Sequence, residues 1–119
     1  MKVIVAGSRT INDRAEIARA IGNTKLKITE MVIGNSRGVD AGAETYANII
    51  HAKIKLFPSE AEKYGRPAGK IRNEEMAKYA DALIAIWDGE SSGTRDIIMA
   101  MNKENKPVYL YLVNSKKEY

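Results

Sequence analysis

Short apolar runs alternate with amphipathic stretches along the whole chain. The run at residues 82–87 is apolar at every position, which is typical of a strand buried on both faces of a parallel sheet. Residues 53–57 alternate basic and apolar side chains, which indicates an edge strand with one face in solvent. We predict five strands in all, at residues 2–6, 30–33, 53–57, 82–87 and 107–113.

The stretches between the strands carry apolar residues at helical spacing. Asp13 and Glu16 have the spacing of a capping box, so the first helix is expected to begin after Asp13 and to end at Gly22. A long polar loop at residues 59–69 precedes the third helix, at residues 70–80, and Ser91 or Ser92 is expected to cap the fourth. The predicted inward faces are, in chain order, Ile17, Ala18 and Ile21; Val39, Ala43, Ala47 and Ile50; Met76, Ala77 and Ala80; and Ile97, Ile98 and Met101.

This strict alternation of strands and helices predicts an α/β domain with a parallel sheet and right-handed crossovers. The length of 119 residues suits one domain with a substantial core. The chain contains no internal repeat, low-complexity segment or interdomain linker. We therefore expect a single domain over residues 1–119.

Composition narrows the classes of function. No apolar run approaches the ~20 residues needed to span a bilayer, so no membrane association is expected, and the cytoplasm is the expected location. The chain has no cysteine and one histidine, His51, so neither a metal site nor a cofactor is expected. A net charge of +4, from 19 basic and 15 acidic residues, is too mild for a dedicated nucleic-acid binder and suits a small anionic ligand better.

Three of the predicted strands end in segments that combine glycine, polar side chains and an arginine. In an open parallel sheet, ligands bind beyond the carboxyl ends of the strands. Glycine lets backbone N–H groups approach a ligand closely, and the planar arginine fork suits a phosphate or a carboxylate. One such segment alone is often an ordinary turn and helix cap, but three at equivalent ends predict a shared anionic site. The segments are Gly7-Ser8-Arg9, Gly34-Asn35-Ser36-Arg37-Gly38 and Gly89-Glu90-Ser91-Ser92-Gly93-Thr94-Arg95.

The junction between the fourth strand and the fourth helix is the best candidate for phosphate binding. The first N–H groups of a helix have no intrahelical partner and favour an anion, so Ser92, Gly93 and Thr94 are expected to contact phosphate. Trp87 either stacks on a base or packs against a neighbouring loop. Asp40, in the first turn of the second helix, either complements the helix dipole or contacts the ligand. Neither the G-x-G-x-x-G dinucleotide motif nor the P-loop motif occurs in the chain.

Several segments spread over nearly the whole chain carry a family resemblance. They are Val5-Ala6-Gly7-Ser8-Arg9, Gly34-Asn35-Ser36-Arg37-Gly38-Val39-Asp40, the block at residues 64–76, the run at residues 80–85, and Ser92-Gly93-Thr94-Arg95. Together they resemble the SLOG superfamily, a Rossmann-like group that contains LOG-type phosphoribohydrolases, lysine-decarboxylase-like proteins and DNA-processing protein A. The resemblance implies a three-layer sandwich with a five-stranded parallel sheet in the order 3-2-1-4-5, and a site for a nucleotide or nucleotide-derived ligand.

The resemblance also bears on self-association. Superfamily members often pair through helices beside the site, which implies a possible homo-oligomer. Met76, Met99 and Met101 would supply an apolar helical face for such pairing, although methionine at helical spacing is more often part of the core.

The enzymatic branch of the superfamily carries an Arg-Lys pair and a Gly-Gly-x-Gly-Thr-x-Glu-Glu motif. Arg72 matches the arginine, whereas Asn73 replaces the lysine. Gly93 and Thr94 match the Gly-Thr pair, but Asp96 and Ile97 stand where the two glutamates would be. Cleavage of an N-glycosidic bond needs a carboxylate near the anomeric carbon. Arg72 and Asp96 are therefore the candidate catalytic residues if the chain is an enzyme.

Three functions remain open from the sequence. The leading one is binding of a nucleotide or nucleotide-derived small molecule, as a sensor or sequestering protein, with Arg9, Arg37, Arg72, Asn73 and Arg95 among the ligand contacts. The alternative is a phosphoribohydrolase that releases the base from a nucleoside 5′-monophosphate. Binding of single-stranded nucleic acid, by analogy with the DNA-processing branch, is disfavoured by the low net charge.

Overall fold

The computed structural model describes residues 1–34, 38–58 and 61–113. Strands and helices alternate along this chain, with one additional short helix before the third long one. The strands are β1 (Lys2–Gly7), β2 (Glu30–Ile33), β3 (Lys53–Leu56), β4 (Ala82–Trp87) and β5 (Val108–Leu112). The helices are α1 (Arg14–Asn23), α2 (Val39–Ile49), α3 (Ala61–Tyr64), α4 (Ala68–Tyr79) and α5 (Ser92–Lys103).

The five strands form one parallel sheet in the order β3-β2-β1-β4-β5. This arrangement confirms the predicted α/β class and the strand order that the family resemblance implies. The chain builds outward from β1 through β2 to β3 and then returns to place β4 on the other side of β1. The strand order therefore reverses between β1 and β4, which is where open parallel sheets bind their ligands.

Helices cover both faces of the sheet and make a three-layer sandwich. On one face, α1 and α2 bury side chains such as Ile17 and Ala43 against the sheet. On the other face, α4 and α5 bury Met76, Ile97 and Met101. β4 is an interior strand, between β1 and β5, and five of its six residues are buried, as its continuous apolar run predicts.

Most of the predicted helix positions are observed, although Ala20 rather than the predicted Ala18 belongs to the core on α1. Asp13 caps α1, because its carboxylate accepts hydrogen bonds from the N–H groups of Ala15 and Glu16. Ile50 was expected on the inward face of the second helix, but it follows the last residue of α2 and is 39% exposed. The expectation for Ile50 is therefore wrong, because the helix ends before that position can turn inward.

The segment predicted as a loop at residues 59–69 is partly helical. It contains α3, and α4 begins at Ala68, two positions before the predicted start. Pro67 immediately precedes α4, and its carbonyl accepts the hydrogen bond from Ile71 N that opens the helix. The earlier start adds about half a turn to α4 on the side that faces the carboxyl ends of the strands.

The methionine-bearing helices expose little apolar surface. Met76 and Met101 are buried in the core, whereas Met99 is 60% exposed. Two further exposed apolar side chains, Leu110 and Leu112, lie on the edge strand β5. The homo-oligomer stays a prediction. Within the described residues, no helix combines the length and the hydropathy that crossing a bilayer requires.

Candidate functional site

A cavity of about 440 Å³ opens at the carboxyl ends of the central strands. Its walls come from the segments that follow β1, β2 and β4, and from one side of α4. Ten of the residues predicted for the site line it: Gly7, Arg9, Gly34, Asp40, Arg72, Asn73, Ser91, Ser92, Gly93 and Thr94. The structure therefore brings together three chain segments that are far apart in sequence.

The first turn of α5 forms one wall of this cavity. Ser91 occupies the N-cap position, but its side chain does not cap the helix. The space in front of the turn is open, since a Cβ atom added at Gly93 would meet no atom within 4 Å. Thr94 is only 4% exposed, and its hydroxyl has no hydrogen-bond partner among the described residues. The wall thus presents unsatisfied helix N–H groups and a hydroxyl, which together suit an anion.

The loop between β4 and α5 is held in place by a set of side-chain hydrogen bonds. The Asp88 carboxylate accepts hydrogen bonds from Glu90 N (2.8 Å) and Ser91 N (2.9 Å). Ser8 Oγ accepts from Asp88 N (3.1 Å) and from the Ser91 hydroxyl (3.2 Å). Trp87 Nε1 donates to the Ser91 carbonyl (3.0 Å). Of the two roles expected for Trp87, its indole N–H therefore serves the neighbouring loop.

Because of Asp88, the protein is expected to lose stability at acidic pH. The hydrogen bond from Glu90 N lowers the pKa of Asp88 most, partial burial opposes it, and the hydrogen bond from Ser91 N lowers the pKa further. Because the folded-state pKa lies below the ordinary value of 3.8, this contribution is present above that pH and is lost as the pH falls through the folded-state pKa. We expect Asp88→Asn to lower the free energy of unfolding by about 1 kcal/mol at neutral pH.

The measurement is urea denaturation of the parent and Asp88→Asn between pH 7 and pH 3. The difference between them should begin to shrink below about pH 4, where Asp88 of the unfolded parent becomes protonated, and should disappear as the pH falls through the lower folded-state pKa. Asp96→Asn is the matched control, because Asp96 is exposed on α5 and makes no hydrogen bond to the described residues. A difference for Asp88→Asn that stays constant over the whole range would contradict this role.

Arg72 reaches from α4 across to the end of β2. Its Nη1 donates a hydrogen bond to the Gly34 carbonyl at 2.9 Å. The guanidinium lies so close to Gly34 that an added Cβ would sit 2.8 Å from Nη1, so only glycine admits this contact unchanged. The Nε atom is buried and has no hydrogen-bond partner among the described residues. Arg72 therefore lines the cavity with most of its donors unused.

Two charged side chains, Asp40 and Arg9, act on the guanidinium of Arg72 in opposite directions. Burial lowers the pKa of Arg72, the Asp40 carboxylate opposes this shift, and the positive charge of Arg9 adds to it. Asp40 is itself buried in the first turn of α2, where it also faces the positive end of the helix dipole. Two guanidinium groups and one carboxylate thus share this side of the cavity, and their sum is one positive charge.

Asn73 lies beside Arg72 and separates two depressions. It is 7% exposed, lines the cavity, and has no side-chain hydrogen bond to any described residue. On its other side, a second depression of about 390 Å³ runs between α4 and α5. Asn73 therefore offers the cavity an amide that can both donate and accept hydrogen bonds.

Several predicted site residues do not line the cavity. Asp96 lines the depression between α4 and α5, and Arg95 is exposed on α5. Ser8 and Trp87 stand behind the loop that they hold, and Gly38 precedes α2 beneath the backbone of Ser8 and Arg9. Asn35, Ser36 and Arg37 lie outside the described residues.

The cavity also contains residues that were not predicted for it. Asp88 precedes a glycine, a pair that signals a turn, and this signal alone could have suggested its role in ordering the loop. Met76 and Ile97 were predicted as core residues, and they form an apolar floor together with Ala6. Thr10 lines the rim, and no feature of the sequence distinguishes it.

No group of three histidine, cysteine or acidic residues that would suit a metal ion occurs in the part of the chain that the structure describes. The functional groups of the cavity are thus guanidinium, hydroxyl, amide and carboxylate groups and backbone N–H groups.

Comparisons with protein-family models and with curated proteins find no match for this chain.

Proposed function

We propose that this protein binds a nucleotide or nucleotide-derived small molecule, with a phosphate at the first turn of α5. The observation that carries the proposal is the hydroxyl of the largely buried Thr94, which lacks a partner among the described residues and lines the cavity beside unsatisfied helix N–H groups. A phosphate oxygen accepts hydrogen bonds from donors of both kinds. Arg9 and Arg72 supply positive charge on the neighbouring side of the cavity.

The remaining surface of the cavity suits the rest of a nucleotide. Its volume of about 440 Å³ falls within the range of small-molecule sites. The apolar floor of Ala6, Met76 and Ile97 can contact a base or the face of a sugar, while Asn73 and Asp40 can bind hydroxyl groups. With these groups the protein would act as a sensor or as a sequestering protein, without a chemical step.

Calorimetric titration with nucleoside 5′-monophosphates, ADP-ribose and NAD tests the proposal, with the matching nucleosides as controls. We expect at least one phosphorylated ligand to bind with a dissociation constant below about 1 mM, and its nucleoside to bind at least about tenfold more weakly. Thr94→Val keeps the shape of the side chain but removes the hydroxyl, and it should weaken binding by about tenfold. Equal affinity for nucleotide and nucleoside, or no binding at all, would contradict the proposal.

Phosphoribohydrolase activity is the second candidate function, and the position of Asp40 suggests which carboxylate would take part in the reaction. Hydrolysis of the N-glycosidic bond requires a carboxylate to stabilise the sugar cation or to activate water while the base leaves. Asp96, the acid that the family motif suggests, lines the depression between α4 and α5, whereas Asp40 is a buried carboxylate that lines the cavity itself. Incubation with AMP should then release adenine and ribose 5-phosphate, and Asp40→Asn should abolish this release while Asp96→Asn retains it. Absence of free base with the parent protein would leave binding as the function.

A further inference from the structure

The two groups of anion-binding donors in the cavity lie on different walls. One is the first turn of α5, which follows β4, and the other is the Arg72 guanidinium, which rests on Gly34 at the end of β2. β1 lies between β2 and β4 in the sheet. Adjacent strands are about 4.8 Å apart, so the two positions are separated by on the order of 10 Å. A single phosphate bound at α5 would therefore not also satisfy Arg72.

Arg72 has the donors and the charge for an anion of its own. The Gly34 carbonyl is the acceptor of its one hydrogen bond among the described residues, which leaves most of the five guanidinium N–H groups available. Its Nε atom is buried without a partner in the same part of the chain. Arg9 brings a second positive charge to this side, and Asp40 cancels only one of the two.

We propose that the cavity takes a nucleotide that carries two phosphate groups on different carbons of its sugar, one held at the first turn of α5 and the other at Arg72. This inference rests on the proposed function and specifies its ligand class. The two phosphates of a diphosphate share a bridging oxygen, so they lie too close together to reach both walls. The cavity has room for about one nucleoside, so two phosphates on one sugar fit better than the two halves of a dinucleotide.

The test is a calorimetric comparison of adenosine 3′,5′-bisphosphate with AMP and ADP. ADP carries a similar charge to the bisphosphate, so it separates the effect of charge from the effect of spacing. We expect the bisphosphate to bind at least about tenfold more tightly than either AMP or ADP. If another base binds better in the titrations above, its analogous three compounds replace these.

Two variants test whether Arg72 binds the second phosphate. Arg72→Gln should remove the tenfold advantage of the bisphosphate over AMP. Gly34→Ala keeps the charge of Arg72 but places a Cβ 2.8 Å from Nη1, so it should displace the guanidinium and give the same loss. Thermal unfolding of each variant confirms that the fold is retained.

The outcomes distinguish this inference from the proposed function. If AMP binds but ADP matches or exceeds the bisphosphate, the two-phosphate ligand is excluded and nucleotide binding stands. The same conclusion follows if Arg72→Gln weakens AMP and the bisphosphate equally. If none of the three compounds binds and the other nucleotides also fail, both proposals are overturned.

Discussion

Gly93→Glu is expected to abolish nucleotide binding while leaving the protein at least as stable as its parent. Gly93 is the second residue of α5, on the wall assigned to the phosphate, and a side chain added there meets no neighbouring atom. The new carboxylate would occupy the phosphate position and repel the ligand, and like charges brought together in this way cost several kcal/mol. Affinity should fall by at least about a hundredfold.

Stability should move in the opposite direction. Replacing glycine in a helix by glutamate gains about 0.5–1 kcal/mol of helix propensity, and a negative charge in the first turn complements the helix dipole. Gly93→Gln is the matched control, because it has nearly the same bulk without the charge. We expect calorimetry to show a much smaller loss of affinity for Gly93→Gln than for Gly93→Glu. If both variants bind the nucleotide as the parent does, the phosphate does not lie at this turn.

The convergence of the three glycine-containing segments was predictable because it follows from topology. In a parallel sheet the carboxyl ends of neighbouring strands meet at one edge. Gly7 is the last residue of β1, and Gly34 and Ser91 come shortly after β2 and β4, the two neighbours of β1. The observed cavity therefore collects these segments whatever their detailed conformations are. The contribution of Arg72 was suggested by the family motif, but its contact with Gly34 joins residues 38 positions apart.

The position of Asp96 was not predictable from a linear motif, because a motif does not state which side of a helix each residue faces. Successive residues of an α-helix are rotated by about 100°, so Asp96 points about 200° away from Thr94. Thr94 faces the cavity, and Asp96 consequently faces the depression between α4 and α5. The same rotation accounts for the exposure of Arg95. When a motif falls within a helix, the direction in which each residue points must therefore be worked out from the helical periodicity before a role is assigned to it.

Gly7→Ala is expected to cause the largest loss of stability, because the backbone of β4 and a side chain of α2 lie too close to Gly7 to admit a Cβ atom. A Cβ atom at this position would lie 2.1 Å from the Ile86 carbonyl oxygen and 2.7 Å from Val39 Cγ2. Gly7 pairs with Ile86 where β1 meets β4, and the same carbonyl accepts a hydrogen bond from Ser8 N. The backbone cannot move to relieve this contact without separating β1 from β4 at this end of the strand pair. We expect a loss of about 3 kcal/mol or more, and a fall in Tm on the order of 10 °C.

Gly93→Ala provides the control for Gly7→Ala, because it makes the same chemical change at a position with open space. An alanine at Gly93 should leave the Tm unchanged or raise it slightly, since alanine favours a helix over glycine by up to about 1 kcal/mol. Thermal unfolding and urea denaturation of both variants measure the contrast. If Gly7→Ala unfolds within about 2 °C of the parent, a change well under 1 kcal/mol, then β1 and β4 are not packed as closely at Gly7 as described. If its Tm falls while Gly93→Ala remains stable, the cost belongs to the close approach of β1 and β4 at Gly7.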